Sequence, residues 1–79
     1  MKSDFSLWLQ ANTAYQSRVQ SDIVSRVKRA DAILALPASS DMYYLFQLQQ
    51  NEQYKALSSS VRSQIKKAIT IYFEYLNAK

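Results

Sequence analysis

Residues 61–77 place apolar side chains at Val61, Ile65, Ala68, Ile69, Tyr72, Phe73 and Leu76, steps of three and four that an α-helix gathers onto one broad face. This is the strongest periodic signal in the chain. Tyr15, Val19, Ile23, Val27, Ala30 and Leu34 repeat the pattern and predict a long helix over residues 14–36. Pro37 ends it, because the residue before a proline is pushed out of the α region. A shorter segment, residues 4–12, puts Phe5, Trp8 and Leu9 on one face; it is too short to be stable alone and must dock on something larger. In residues 41–50 the apolar side chains Met42, Tyr43, Leu45, Phe46 and Leu48 nearly encircle the axis, so this helix is expected to be the most enclosed. Asn51 breaks the chain before a short helical turn over residues 52–57. Strands are hard to place anywhere.

The breaks between these segments carry the residues that end and start helices. Ser3 or Asp4 would cap the first helix, and Thr13 with Gln16 fits a capping box for the second. Residues 38–40 are the clearest loop, with Ser39 or Ser40 as the cap of the third helix and Asp41 near its positive end. Ser58, Ser59 and Ser60 offer a cap for the last. Asp22, four residues from both Arg18 and Arg26, is expected to pair weakly with one of them.

A chain of 79 residues fills one hydrophobic core, so residues 1–79 form a single helical domain. The absences exclude a good deal. With no Cys and no His there is no disulfide framework, no thiolate or histidine metal site and no nucleophile–histidine couple. Without Gly there is no P-loop and no dinucleotide fingerprint. The carboxylates Asp22, Asp31, Asp41, Glu52 and Glu74 are scattered, and no helical spacing pairs two of them in an apolar setting. A tyrosine nucleophile would need cationic and basic surroundings that the sequence does not supply. The expectation is a non-catalytic protein with no metal, no cofactor and no small-molecule substrate. No signal peptide and no apolar run of membrane-spanning length is visible, which places the expected location in the cytoplasm, bacterial or phage in origin.

Ten Lys and Arg against six Asp and Glu give a net charge of +4. Two groups concentrate it: Arg26, Lys28 and Arg29 on the second helix, and Arg62, Lys66 and Lys67 on the last. Cations on rigid helices displace counterions from a polyanion, and Ser25, Ser59, Ser60, Ser63 and Gln64 add the short donors that accompany phosphate contacts. The bland alternative is a solvated helix face. Neither group adjoins a wide exposed apolar stripe, which ranks a membrane surface below duplex DNA as partner. The aromatic residues are better read as core than as base-stacking platforms, with Trp8, Tyr15, Phe46, Tyr72 and Phe73 at periodic positions. Of the adjacent tyrosines one should face outward; Tyr44 and Tyr54 are taken as the outward pair, which keeps a protein partner as the alternative to DNA.

The chain also resembles a known family. A short helix with Phe5-x-x-Trp8-Leu9 precedes a long one reading Ile23-Val24-Ser25-Arg26-Val27-Lys28-Arg29-Ala30. The final helix follows serines and reads Val61-Arg62-Ser63-Gln64-Ile65-Lys66-Lys67-Ala68-Ile69 on to Tyr72-Phe73-Glu74-Tyr75-Leu76. This pattern resembles the N-terminal core-binding domain of phage-type integrases, the tyrosine recombinases. The resemblance implies an all-α bundle of four main helices in a SAM-like orthogonal arrangement. It also implies sequence-tolerant or arm-assisted binding of double-stranded DNA in recombination, and nominates Arg26, Lys28, Arg29, Arg62, Lys66 and Lys67 as the DNA-facing residues. The Arg/His/Tyr catalytic half of such enzymes is missing from these residues.

Overall fold

A computed structural model describes residues 3–36 and 40–78. All regular structure among them is helical: α1 (Ser3–Asn12), α2 (Ser17–Ile33), α3 (Asp41–Gln50), the single turn α4 (Glu52–Lys55) and α5 (Ser59–Ala78). The fold is an all-α bundle in which α5 is the central member. It packs most extensively on α2 and also meets α1 and α3. The Cα radius of gyration is 12.1 Å, about that of a folded chain of this length.

The core forms because the stripes read in the sequence close on one another. Ile23, Val27 and Ala30 of α2 are buried with Ile65, Ala68 and Ile69 of α5. Phe5 and Leu9 seat α1 on the same core. Ile71 and Tyr75 are buried as well, although neither was among the inward residues read from periodicity. In its C-terminal half α5 buries a broad arc and leaves exposed only the strip through Thr70, Glu74 and Asn77 with Ala78 at its end. An aromatic cluster fixes that half: the Phe5 ring meets Tyr72 edge-on at 5.0 Å and Tyr75 at 5.2 Å, and Trp8 meets Tyr75 at 5.8 Å. Such pairs add about 0.5–1.5 kcal/mol each beyond the burial itself.

The α1–α2 corner differs from the expected capping box. The Thr13 hydroxyl donates back to the Leu9 carbonyl at 2.6 Å, and the Asn12 side chain donates to the Trp8 carbonyl at 3.0 Å. Both side chains serve the end of α1, so Thr13 does not start α2. That helix begins at Ser17, with Gln16 as an N-cap whose side chain makes no capping bond. Buried Gln20 instead donates to the Tyr15 carbonyl at 2.7 Å and ties the turn to the first turn of α2. At the other end α2 stops at Ile33, short of residue 36, and the Leu36 N–H donates to the Asp31 carboxylate at 2.8 Å. Pro37, Ala38 and Ser39, on which the reading of that stop and loop partly rested, lie outside the described residues. Among those residues Asp22 forms no ion pair with Arg18 or Arg26.

Ser40 caps α3 as expected, accepting from the Tyr43 N–H at 3.1 Å. Asn51 ends α3 and starts α4, its side-chain oxygen accepting from the Gln53 N–H at 2.8 Å. Ser58 accepts from Val61 N–H at 3.3 Å, so α5 starts two residues earlier than the periodicity suggested.

Two expectations about α3 and α4 are overturned. α3 is not the most enclosed helix: Met42 is 79% exposed, Tyr43 55% and Phe46 59%. Only its Tyr44–Leu48 side meets the rest of the bundle, so the apolar residues opposite have no neighbour to cover them. Phe46 is therefore not core. Tyr44 and Tyr54, taken as outward anchors, are 1% and 2% exposed. Each phenol oxygen has a carbonyl partner across a helix junction, which is what allows a tyrosine to be buried.

Candidate nucleic-acid interface

The six basic residues nominated from the sequence do not stay in the two groups that sequence proximity suggested. On α5, Lys66 and Lys67 are adjacent in sequence and so diverge by about 100° around the helix. Lys67 faces α2. It lines a groove of about 200 Å³ together with Arg26, Gln64 and the apolar side chains Val19 and Ile23. Lys66 faces the other way and lines a cleft of about 530 Å³ with Arg62. The nominated cations thus straddle the N-terminal half of α5, while its C-terminal half is committed to the aromatic core.

The α2 group divides in the same way. Arg26, half-buried, is the member that reaches the α5 groove. Arg29 lies three residues on, beside Arg26 on the exposed side of the helix, and Lys28 falls on the opposite flank. Neither Lys28 nor Arg29 lines either opening. Reading the three as one group followed from their adjacency in sequence, which a helix scatters.

The larger cleft holds a residue that sequence reasoning passed over. Lys55, on the short α4, joins Arg62 and Lys66, with Ser59, Ser63 and Gln49 supplying hydroxyl and amide groups around them. Tyr54 is the reason Lys55 is there. Its phenol donates to the Arg62 carbonyl at 2.9 Å, pinning α4 against the second turn of α5. Burial pushes the Tyr54 phenol above its ordinary pKa, and the nearby Arg62 guanidinium works against that shift. The phenol remains a donor throughout the neutral range. The spacing from Lys55 to Arg62 crosses a loop, so no helical period could have joined them. The available signal was Asn51 and Ser58 as caps closely framing a four-residue helix.

The cleft is cationic throughout. No Asp or Glu lines it, and none lines the α2–α5 groove. Among the described residues the lysines and arginines make no ion pair with a carboxylate. The Nε of Arg62 is closed off from solvent and has no hydrogen-bond partner. A buried guanidinium donor left in that state costs about 1–3 kcal/mol.

No group of metal-ligating side chains occurs among the described residues, and no helix there is long and apolar enough to cross a membrane. Comparison of the chain with family models, with curated proteins and with solved structures finds no match.

Proposed function

We propose that this protein is a non-catalytic DNA-binding module that lays the N-terminal half of α5 along a duplex and holds it by phosphate contacts. One observation carries the reading. Five cations, Arg26 and Lys67 on one side of α5 and Lys55, Arg62 and Lys66 on the other, line openings that contain no carboxylate. A merely solvated face gains nothing from collecting like charge without counter-charge, whereas a polyanion rewards it through counterion release. Serine hydroxyls beside the cations suit phosphate oxygens. The resemblance to the core-binding domain of phage-type integrases supports the same surface, since that family turns its last helix to DNA. The site proposed here keeps Arg26, Arg62, Lys66 and Lys67, adds Lys55, and leaves Lys28 and Arg29 at its margin.

The test is duplex binding as a function of salt. If all five cations contact phosphates, the logarithm of the association constant falls against that of salt concentration with a slope of about −4 to −5. Replacing Lys66 by Gln should weaken binding and reduce the slope by about 1. Binding that is absent, or flat with salt, overturns the reading.

A second reading rests on a separate observation. Met42, Tyr43 and Phe46 form an exposed apolar face on α3, on an element whose one charge is Asp41. Exposed aromatic and methionine side chains are enriched in protein interfaces. A stable protein partner that protects this face, with no affinity for DNA, would make the chain an adaptor.

A further inference from the structure

We propose that the cleft between α4 and α5 is a discrete binding site for a single phosphate group, with the Arg62 guanidinium as its centre. As a contact to a DNA backbone phosphate it rests on the reading above; as a phosphate site in its own right it goes beyond it. Three features of the cleft define the ligand. Lys55, Arg62 and Lys66 bring three positive charges to one opening with no carboxylate among the lining residues. A carboxylate ligand offers one charge and two oxygens in a plane, whereas a phosphate group spreads its oxygens tetrahedrally over three converging donors, and an inorganic or terminal phosphate adds a second charge that a backbone phosphodiester lacks. The remaining polar lining, Ser59, Ser63 and Gln49, can donate to those oxygens. Tyr54 is the single aromatic side chain in the lining, which gives an apolar ligand little to bury against.

The second observation is the anchoring of Arg62. Arg62 Nε is shielded from water and unpartnered, while the Arg62 carbonyl is already engaged by the Tyr54 phenol. The backbone of Arg62 is therefore fixed, and with Nε enclosed the terminal nitrogens of this partly exposed side chain are the donors left for a ligand. A tetrahedral oxyanion in the cleft can accept from the two terminal nitrogens in the fork geometry of arginine. Ser59, in the first turn of the long helix α5, brings the positive end of that helix to the same opening.

The experiment is a titration with inorganic phosphate at constant ionic strength, followed by backbone amide resonances of the full chain. Saturable shifts centred on Lys55, Ser59, Arg62 and Ser63 are expected. Arg62→Gln should weaken the apparent affinity at least tenfold, and Lys66→Gln should weaken it too, which covers the case of an arginine variant that does not fold. Lys28→Gln, on a flank of α2 that lines neither opening, should leave it unchanged. Shifts that never saturate, or that spread equally to Lys28, overturn the site, as does an unaltered affinity in folded Arg62→Gln. A duplex arm separates this from the preceding reading. Saturable phosphate binding that competes with duplex supports both. Saturable phosphate binding without duplex affinity keeps the site and removes the DNA reading. Duplex binding with no saturable phosphate effect removes the site and keeps the DNA reading.

Discussion

The Tyr44 phenol on α3 donates to the Leu34 carbonyl at 2.6 Å, and it lies 3.1 Å from the Ala30 carbonyl one turn earlier. Leu34 is the C-cap of α2, where carbonyls lose their intrahelical donors. A side chain ten residues away in sequence thus closes the helix end that the chain's own glycine, had there been one, would ordinarily close. The same bond sets where α3 sits against α2. Burial, reinforced by the Asp31 carboxylate, holds this phenol well above the ordinary tyrosine range.

Tyr44→Phe should therefore destabilise the fold by about 1–3 kcal/mol, since it strands a buried carbonyl while keeping the ring. Chemical denaturation at neutral pH measures this. The pH dependence follows from the raised pKa. Above about pH 10 the unfolded chain gives up the phenolic proton and the folded chain keeps it, so the folded state binds more protons and stability falls as pH rises. The loss amounts to at most about 1.4 kcal/mol per pH unit for this residue. In Tyr44→Phe the alkaline slope should be shallower by that amount. An identical slope in both proteins would mean that Tyr44 ionises normally in the fold.

Phe5→Ala should cost about 3–5 kcal/mol, because the ring is fully buried and meets Trp8, Tyr72 and Tyr75 at once. For a chain this small that approaches total stability, so the variant is expected to be largely unfolded at moderate temperature. Leu7→Ala on the same helix is the contrast: Leu7 is 60% exposed, and the change should stay within about 0.5 kcal/mol. Thermal melts of the two variants test whether α1 is held by one face alone.

The all-α bundle and the inner faces of α2 and α5 were legible because period and partner agree there. Ile23, Val27, Ile65 and Ile69 are inward both by spacing and in the structure. Where a helix has neighbours on one side only, apolar character and burial part company. Met42 and Phe46 show this, since hydrophobicity alone cannot say how many neighbours a helix will have. Tyr44 and Tyr54 fail for the opposite reason. A tyrosine goes inside when a carbonyl waits for its hydroxyl, and the Leu34 and Arg62 carbonyls become available only once the helix junctions exist. Thr13 was misassigned because one hydroxyl suited two helix ends, and the Leu9 carbonyl took it. For the candidate site, charge type was readable, but grouping depended on which flank of a helix meets which neighbour.

The apolar face of α3 predicts a dissociation of stability from association. Met42→Ser combined with Phe46→Ser should change folding stability by no more than about 1 kcal/mol, because both side chains are mostly exposed. Leu48→Ala on the buried side should cost about 2–5 kcal/mol. If the face serves a protein partner or self-association, the double variant loses that interaction while remaining folded, which sedimentation at several concentrations and a melt would show together. A large stability loss in the double variant would mean that these side chains are covered in solution.

Arg26→Gln and Lys28→Gln provide the sharpest comparison on α2. The two residues are equal in charge and two apart in sequence, so any account based on net charge or on a contiguous basic run gives them equal weight. The structure separates them, with Arg26 in the groove beside Lys67 and Lys28 on the opposite flank. If duplex DNA follows the N-terminal half of α5, Arg26→Gln should reduce the salt slope by about 1 and weaken binding several-fold at moderate salt. Lys28→Gln should lower affinity only by the small, long-range share that screening leaves to a distant charge. Fluorescence anisotropy with a short labelled duplex at several salt concentrations distinguishes the two outcomes. Equal losses would place the DNA across the outer face of α2 instead, and would make Arg29 the residue to replace next.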